Sequence, residues 1–198
     1  MSRSDRERWD RKHASSESSE RASQPSERIG WIPRASCGSI RDVALDFACG
    51  RGRNTLALLE LGYRVVAADI SRFALHMTRS PSPSLSRVQV DADAWPFARA
   101  SFDVVVQIDF LDRRALPFLL ASVRPGGFFL LDTFAGDAVA DRAGPRSAEF
   151  RLRYGELEKV FVGWDLVHFA ERPPPSGRAA VLARRRVSGI VDILKPLG

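Results

Sequence analysis

The sequence is poor in the residues that build metal and redox centres. Its 198 residues include only two cysteines, Cys37 and Cys49, and three histidines, His13, His76 and His168. Neither cysteine has a CxxC partner or a histidine at ligand spacing. No metal site is expected, and both thiols read as small buried or half-buried groups. Long apolar runs are missing as well. None approaches the roughly 20 residues that cross a bilayer, and the best of them, GGFFLL, has the length and flanks of a buried strand. The N-terminus has no hydrophobic signal region and interleaves its arginines with acids. Neither a targeting peptide nor a membrane partner is expected, and the location expected is cytoplasmic.

A charge surplus is absent from most of the chain. The net charge of +6 suggests a nucleic-acid partner at first sight. Residues 1–30 carry 7 basic and 6 acidic side chains, residues 31–175 carry 18 and 17, and residues 176–198 carry 5 and 1. The excess therefore sits in Arg178, Arg184, Arg185, Arg186 and Lys195, which reads as a solvated C-terminal edge. That edge lacks the interleaved aromatics of a single-strand binder, so nucleic acid is not an expected partner.

What is present is an ordinary globular composition, 44% apolar and 27% charged, long enough for one domain with a sizeable core. Residues 14–27, SSESSERASQPSER, cannot bury enough surface to offset their ordering entropy. Before them DRERWDRKH reads as a short helix whose Trp9 docks over a ligand site. The expected layout is a polar leader over 1–29, a folded domain over 30–186 and a C-terminal extension without assigned role over 187–198. Monomer and homodimer both stay open.

From residue 40 strands and helices alternate. Val43–Phe47, Arg64–Ala68, Arg87–Val90, Phe102–Ile108 and Phe128–Asp132 read as strands. Asn54–Leu61, Ser71–Arg79, Arg114–Val123 and Gly155–Phe161 read as helices, and RPGG as a turn. The last pair, Asp165–Ala170 and Ala179–Ala183, is joined by too few residues for a crossover and must be antiparallel. The expected fold is α/β, a Rossmann-like open, mostly parallel sheet with helices on both faces and one antiparallel strand at its C-terminal edge.

Ligands of such sheets bind beyond the carboxyl ends of the strands, and there the chain sets three acids in succession: Asp46, Asp69 and Asp91. Gly50 and Gly52 permit a tight turn and close approach of a ligand, and a helix start follows at Asn54. Asp69, 17 residues beyond Gly52, stands about where a ribose-binding acid belongs. A dinucleotide fits less well. The third fingerprint position is Thr55, not Gly or Ala, and Asp46 would repel a pyrophosphate. A cationic, phosphate-free nucleoside such as S-adenosyl-L-methionine (SAM) suits the acids better.

The run ALDFACGRGRNTLALLELGYRVVAADIS resembles motif I and the next strand of class I SAM-dependent methyltransferases. Its GRN after the glycines is closest in look to the small bacterial tellurite-resistance-type group. The resemblance continues through VDADAWPF, SFDVVVQIDFLDR, VRPGGFFLLDTFAG and YGELEKVF, from Val43 to Glu171. It implies a SAM-dependent methyltransferase domain and an enzyme that methylates a small-molecule nucleophile. The backbone of Ala48, Cys49, Gly50 and Gly52 would line the methionine moiety. Asp46 would hold its amino group and Arg53 its carboxylate. Asp69 would take the ribose, with Ile70 and Ser71 near the adenine. Asp91 would accept from the adenine amino group and the Ala92 backbone would meet the ring. Ile108 would lie beside the sulfonium and Asp109 would orient the acceptor.

No nucleophilic side chain is required or evident. The Asn-Pro-Pro-Tyr of base amino-methylases is absent. Trp95 and Phe97 read as packing, and Asp112 with Arg113 as a helix start. Two rivals are an RNA- or protein-modifying methyltransferase docking through the basic C-terminus and a non-catalytic SAM-binding module of the same fold.

Overall fold

Strand β1, Val43–Phe47, is buried along nearly its whole length, as the middle strand of a parallel sheet must be. Around it the computed structural model, which describes residues 3–15, 24–36, 42–136, 144–172 and 177–187, builds a seven-stranded sheet. The other strands are β2 (Arg64–Asp69), β3 (Leu85–Gln89), β4 (Phe102–Ile108), β5 (Val123–Phe134), β6 (Trp164–Arg172) and β7 (Arg178–Arg185). Their spatial order is β3-β2-β1-β4-β5-β7-β6. β1 to β5 run parallel, and β7 pairs antiparallel with both β5 and β6. The single reversed strand expected at the C-terminal edge is β7, lying one place inside the outermost β6. The order reverses between β1 and β4, which puts the crevice of a doubly wound sheet beyond Phe47 and Ile108.

Five α-helices accompany the sheet among the described residues: α1 (Arg3–Ser15), α2 (Arg53–Glu60), α3 (Arg72–Met77), α4 (Leu116–Ser122) and α5 (Glu156–Val160). Leu58 of α2, with Ile29 and Ile32 of the N-terminal segment, packs on the face carrying Val65, Val104, Val106 and Leu130. Leu116 and Leu119 of α4 and Leu157 of α5 cover the opposite face, against Leu45, Val105, Phe129 and Val181. Leu58 is fully buried, and its truncation to Ala would cost about 2–5 kcal/mol.

Two local readings change. The RPGG segment is not a plain turn before a strand but lies inside β5. Phe102 pairs with Val123, the register then breaks, and Val104 pairs with Phe128. Gly127 is required there, because a Cβ would stand 2.6 Å from the Asp103 carbonyl. The polar leader also gives way earlier than expected. The Ser26 N–H donates to Asn54 Oδ1 at 2.9 Å and its hydroxyl to Asp132 Oδ2 at 3.0 Å, so the chain is tied to the domain at that residue. Cys37, residues 16–23 of the leader and residues 188–198 of the extension lie outside the described residues.

Candidate functional site

Beyond the carboxyl ends of β1, β2, β4 and β5 opens a cavity of about 940 Å³. The loop after β1 forms its inner wall. Ala48 takes φ +57° and Gly50 φ +54°, a left-handed conformation that costs a non-glycine residue energy and is held by its surroundings. Gly52 (φ +85°) begins α2, and a Cβ on it would run into the Thr78 side chain. Asp69, at the end of β2, fastens this loop. Its Oδ2 accepts the Gly50 N–H at 2.9 Å and its Oδ1 the Ser71 N–H at 2.8 Å. Burial raises the Asp69 carboxyl above its usual range, while the Ser71 and Gly50 N–H bonds and then His13 work the other way.

The absent third glycine acquires a reason. Thr55 is buried and donates its hydroxyl to Asp46 Oδ2 at 2.6 Å. Asp46 is 1% exposed and stands behind the loop, not in the cavity wall. Burial pushes its carboxyl up to about 7, partly opposed by that hydroxyl bond.

Nine of the residues singled out in the sequence line the cavity: Ala48, Cys49, Gly50, Arg53, Asp69, Ile70, Ala92, Ile108 and Asp109. Asp46, Gly52, Ser71 and Asp91 do not. Ser71 caps α3 through the Ala74 N–H and donates to Asp10 of α1. Asp91 caps its own turn through the Asp93 N–H and pairs with Arg6 of α1 at 3.4 Å. Arg53, expected on a ligand carboxylate, pairs with Asp109. Trp95 packs on Phe47 and Phe97 away from the cavity, as expected of a packing residue.

Helix α1 forms the roof. Trp9, Lys12 and His13 line the cavity, and Trp9 meets Phe110 edge-on at 6.4 Å. The His13 carbonyl accepts from Arg51. Burial lowers the affinity of both His13 and Lys12 for a proton.

The far wall was not foreseen. Asp132, at the end of β5, takes Arg178 Nη2 on Oδ1 at 2.8 Å, and Arg178 Nη1 reaches Asp109 at 2.7 Å. Burial would lower the Arg178 guanidinium, but Asp132 and then Asp109 hold it above its ordinary value. Arg178 is therefore no part of a solvated edge. Because β7 runs backwards, its first residue lies beside the last residues of its neighbours. An acid near the end of β5 in LLD, like the three acids before it, is the signal that could have marked Asp132. The RRR run is spent on the protein itself. Arg184 donates to the Gly126 carbonyl, Arg185 to those of Ala121 and Val123, and Arg186 pairs with Asp165 at 2.7 Å.

The methyltransferase domain family model matches residues 44–127, which span β1 to the middle of β5. A structure from Burkholderia thailandensis, 1,6-didemethyltoxoflavin-N1-methyltransferase with bound 1,6-didemethyltoxoflavin and S-adenosylhomocysteine, superimposes with a TM-score of 0.56. It is 22% identical, over 73% of this chain and 71% of that one. The fold is that of the class I methyltransferases. TehB from Haemophilus influenzae shares this methyltransferase fold at a TM-score of 0.58 and 21% identity, over 74% of this chain and 59% of that one. The tellurite-resistance-type likeness is thus one among several of similar strength. In sequence, demethylmenaquinone methyltransferase of Renibacterium salmoninarum is 32% identical over 118 residues, 57% of this chain. The match spans less than half of that relative, 46% of its length.

No helix of the described residues is long and apolar enough to cross a membrane, and no cluster of metal-ligating side chains occurs among them.

Proposed function

We propose that the protein is a SAM-dependent methyltransferase acting on a small-molecule nucleophile. One observation carries the reading beyond the fold. The N–H of Gly50, which in a phosphate-binding loop would face the ligand, is spent on Asp69. That end of the cavity therefore offers a carboxylate in place of a free N–H cradle, which suits a ribose and a cation and repels a pyrophosphate.

The residues present fit the cofactor. Asp69 retains lone pairs for ribose hydroxyls, and Ile70 and Ala92 flank the space for a base. Ala48 and Gly50 bring backbone within reach of the amino-acid end, with Ile108 and Asp109 next to the methyl. The four acids and small residues behind the wall act indirectly. Asp46 with Thr55 sets the start of α2, Gly52 makes the turn, and Ser71 and Asp91 anchor α1.

When bound, SAM supplies an activated methyl group. The chain then has to align an acceptor behind that carbon and keep water out, an effect worth up to about 7–11 kcal/mol in well-aligned cases. Asp109, fixed from two sides by Arg53 and Arg178, orients the acceptor's nucleophilic atom. Trp9 and Phe110 shield the reacting end. The tellurite-resistance-type likeness, carried by GRN after the glycines, leaves the acceptor's identity to the far wall. A domain running over 30–186, extended forward to include α1 as its roof, is part of the same proposal.

Titration calorimetry with SAM, S-adenosylhomocysteine and NAD tests this. Micromolar binding of the first two and none of NAD is expected. Asp69→Ala should weaken binding roughly tenfold or more, the loss of a charge-assisted hydrogen bond. Unchanged affinity in that variant would overturn the ribose assignment.

A further inference from the structure

Five arginines line the cavity, and Arg51 among them donates to the His13 carbonyl. Arg53 and Arg178 are neutralised by Asp109 and Asp132. Arg28 and Arg172 also line the cavity, but neither guanidinium has a carboxylate partner among the described residues. The chain next to Arg172, Pro173 to Ser176, carries no acid at all.

Topology sets these two along the same side of the cavity. Beyond the bulge between Leu166 and His168, β6 alternates regularly, so His168, Ala170 and Arg172 share one face. Trp31 stacks on His168 at 5.2 Å, and Arg28 lies over Trp31 at 4.5 Å from its centroid. Ala170 faces Ala180 across the β6–β7 ladder, and Arg172 faces Arg178. The two alanines, with Asp132 beside Ala180 in β5, line the cavity between Phe134, which carries the Arg178 guanidinium at 4.8 Å, and the side of Arg28 and Arg172. Over the whole cavity six cationic side chains meet four carboxylates, one of them the exposed Glu27 beside Arg28. A cationic cofactor would add to that surplus.

We propose that the acceptor is a small carboxylic acid with an apolar body. Its carboxylate sits on Arg172, with Arg28 adding positive charge on the same side, its body lies along Ala170, Ala180 and Phe134, and its nucleophilic atom points inward to Asp109. A planar guanidinium matches a carboxylate through two parallel hydrogen bonds. The inward acids leave the rim as the place where the acceptor's own negative charge is stable. This inference rests on the methyltransferase reading for its chemistry but not for its binding site.

The test compares benzoate, phenyl phosphate and benzamide by calorimetry on the full chain, alone and saturated with S-adenosylhomocysteine. Benzoate should bind at least tenfold more tightly than benzamide, and Arg172→Gln should reduce that ratio to below threefold with an unchanged melting temperature. Arg28→Gln should do the same to a smaller degree. Equal binding of benzoate and benzamide, no benzoate binding, or an Arg172→Gln variant that keeps the full ratio overturns the proposal. A preference for phenyl phosphate over benzoate overturns the carboxylate and assigns the rim to phosphate esters. Failure of S-adenosylhomocysteine to bind sinks the methyltransferase reading instead, and benzoate binding to the unloaded protein still decides the rim.

Discussion

The two ends of the cavity hold their carboxylates by different means. At the glycine-loop end, Asp69 is fixed by the N–H groups of Gly50 and Ser71, at 2.9 and 2.8 Å. At the hairpin end, Asp109 and Asp132 are fixed by guanidiniums from α2 and β7, as far as 69 residues away along the chain. The first arrangement needs only the neighbouring strands β1 and β2, Gly50 and Asp69 being 19 residues apart and Asp69 and Ser71 two. The second exists only once distant strands have paired.

Asp46 gives the largest expected effect and probes the glycine-loop end. Its carboxyl is raised to about 7 in the folded protein against an ordinary 3.8. Below the lower value both folded and unfolded chains carry the proton. Between the two only the unfolded chain releases it, so stability falls with rising pH and levels off above 7. Asp46→Asn should therefore gain roughly 4 kcal/mol over wild type at pH 8 and almost nothing at pH 4, by urea denaturation at both values. A pH-independent difference would show that Asp46 is not neutral at low pH in the fold.

Arg178→Ala strikes the other end and leaves two carboxylates without their shared cation. Because Arg178 remains partly exposed, the loss should be about 2–3 kcal/mol, less than for a fully buried pair. S-adenosylhomocysteine affinity should change less than threefold, since the two ends are separately built. A large loss of that affinity would erase the distinction between them.

Gly52→Ala should cost about 1–3 kcal/mol, from its left-handed φ and the collision with Thr78. Thermal denaturation checks this, and a neutral result would mean that α3 yields readily. The smallest effect belongs to the roof. Arg6→Ala removes a half-exposed pair with Asp91 and should change stability by less than about 0.5 kcal/mol.

Legibility in the sequence divides along the same line. The β-branched run Phe102–Ile108, the acids at the strand ends and the turn with Gly50 and Gly52 all express short-range rules, and the sheet follows from them. Trp9 betrayed its docking by being apolar in a polar helix. Arg178 was misassigned because a charge count along the chain cannot tell a strand's solvent end from its cavity end. Thr55 appeared only as a missing glycine, since its partner Asp46 is brought beside it by the turn between them. The bulge at RPGG was hidden because turn-forming residues also serve as irregular positions inside a ladder.

Strand β7 begins at Arg178, late in the described chain, yet it enters the sheet between β5 and β6. A nascent polypeptide that has already emerged as far as β5 possesses the glycine loop and its aspartate but no cation to join Asp109 to Asp132. Folding that follows the order of the chain would complete the glycine-loop end first, and the hairpin end only when β6 and β7 dock.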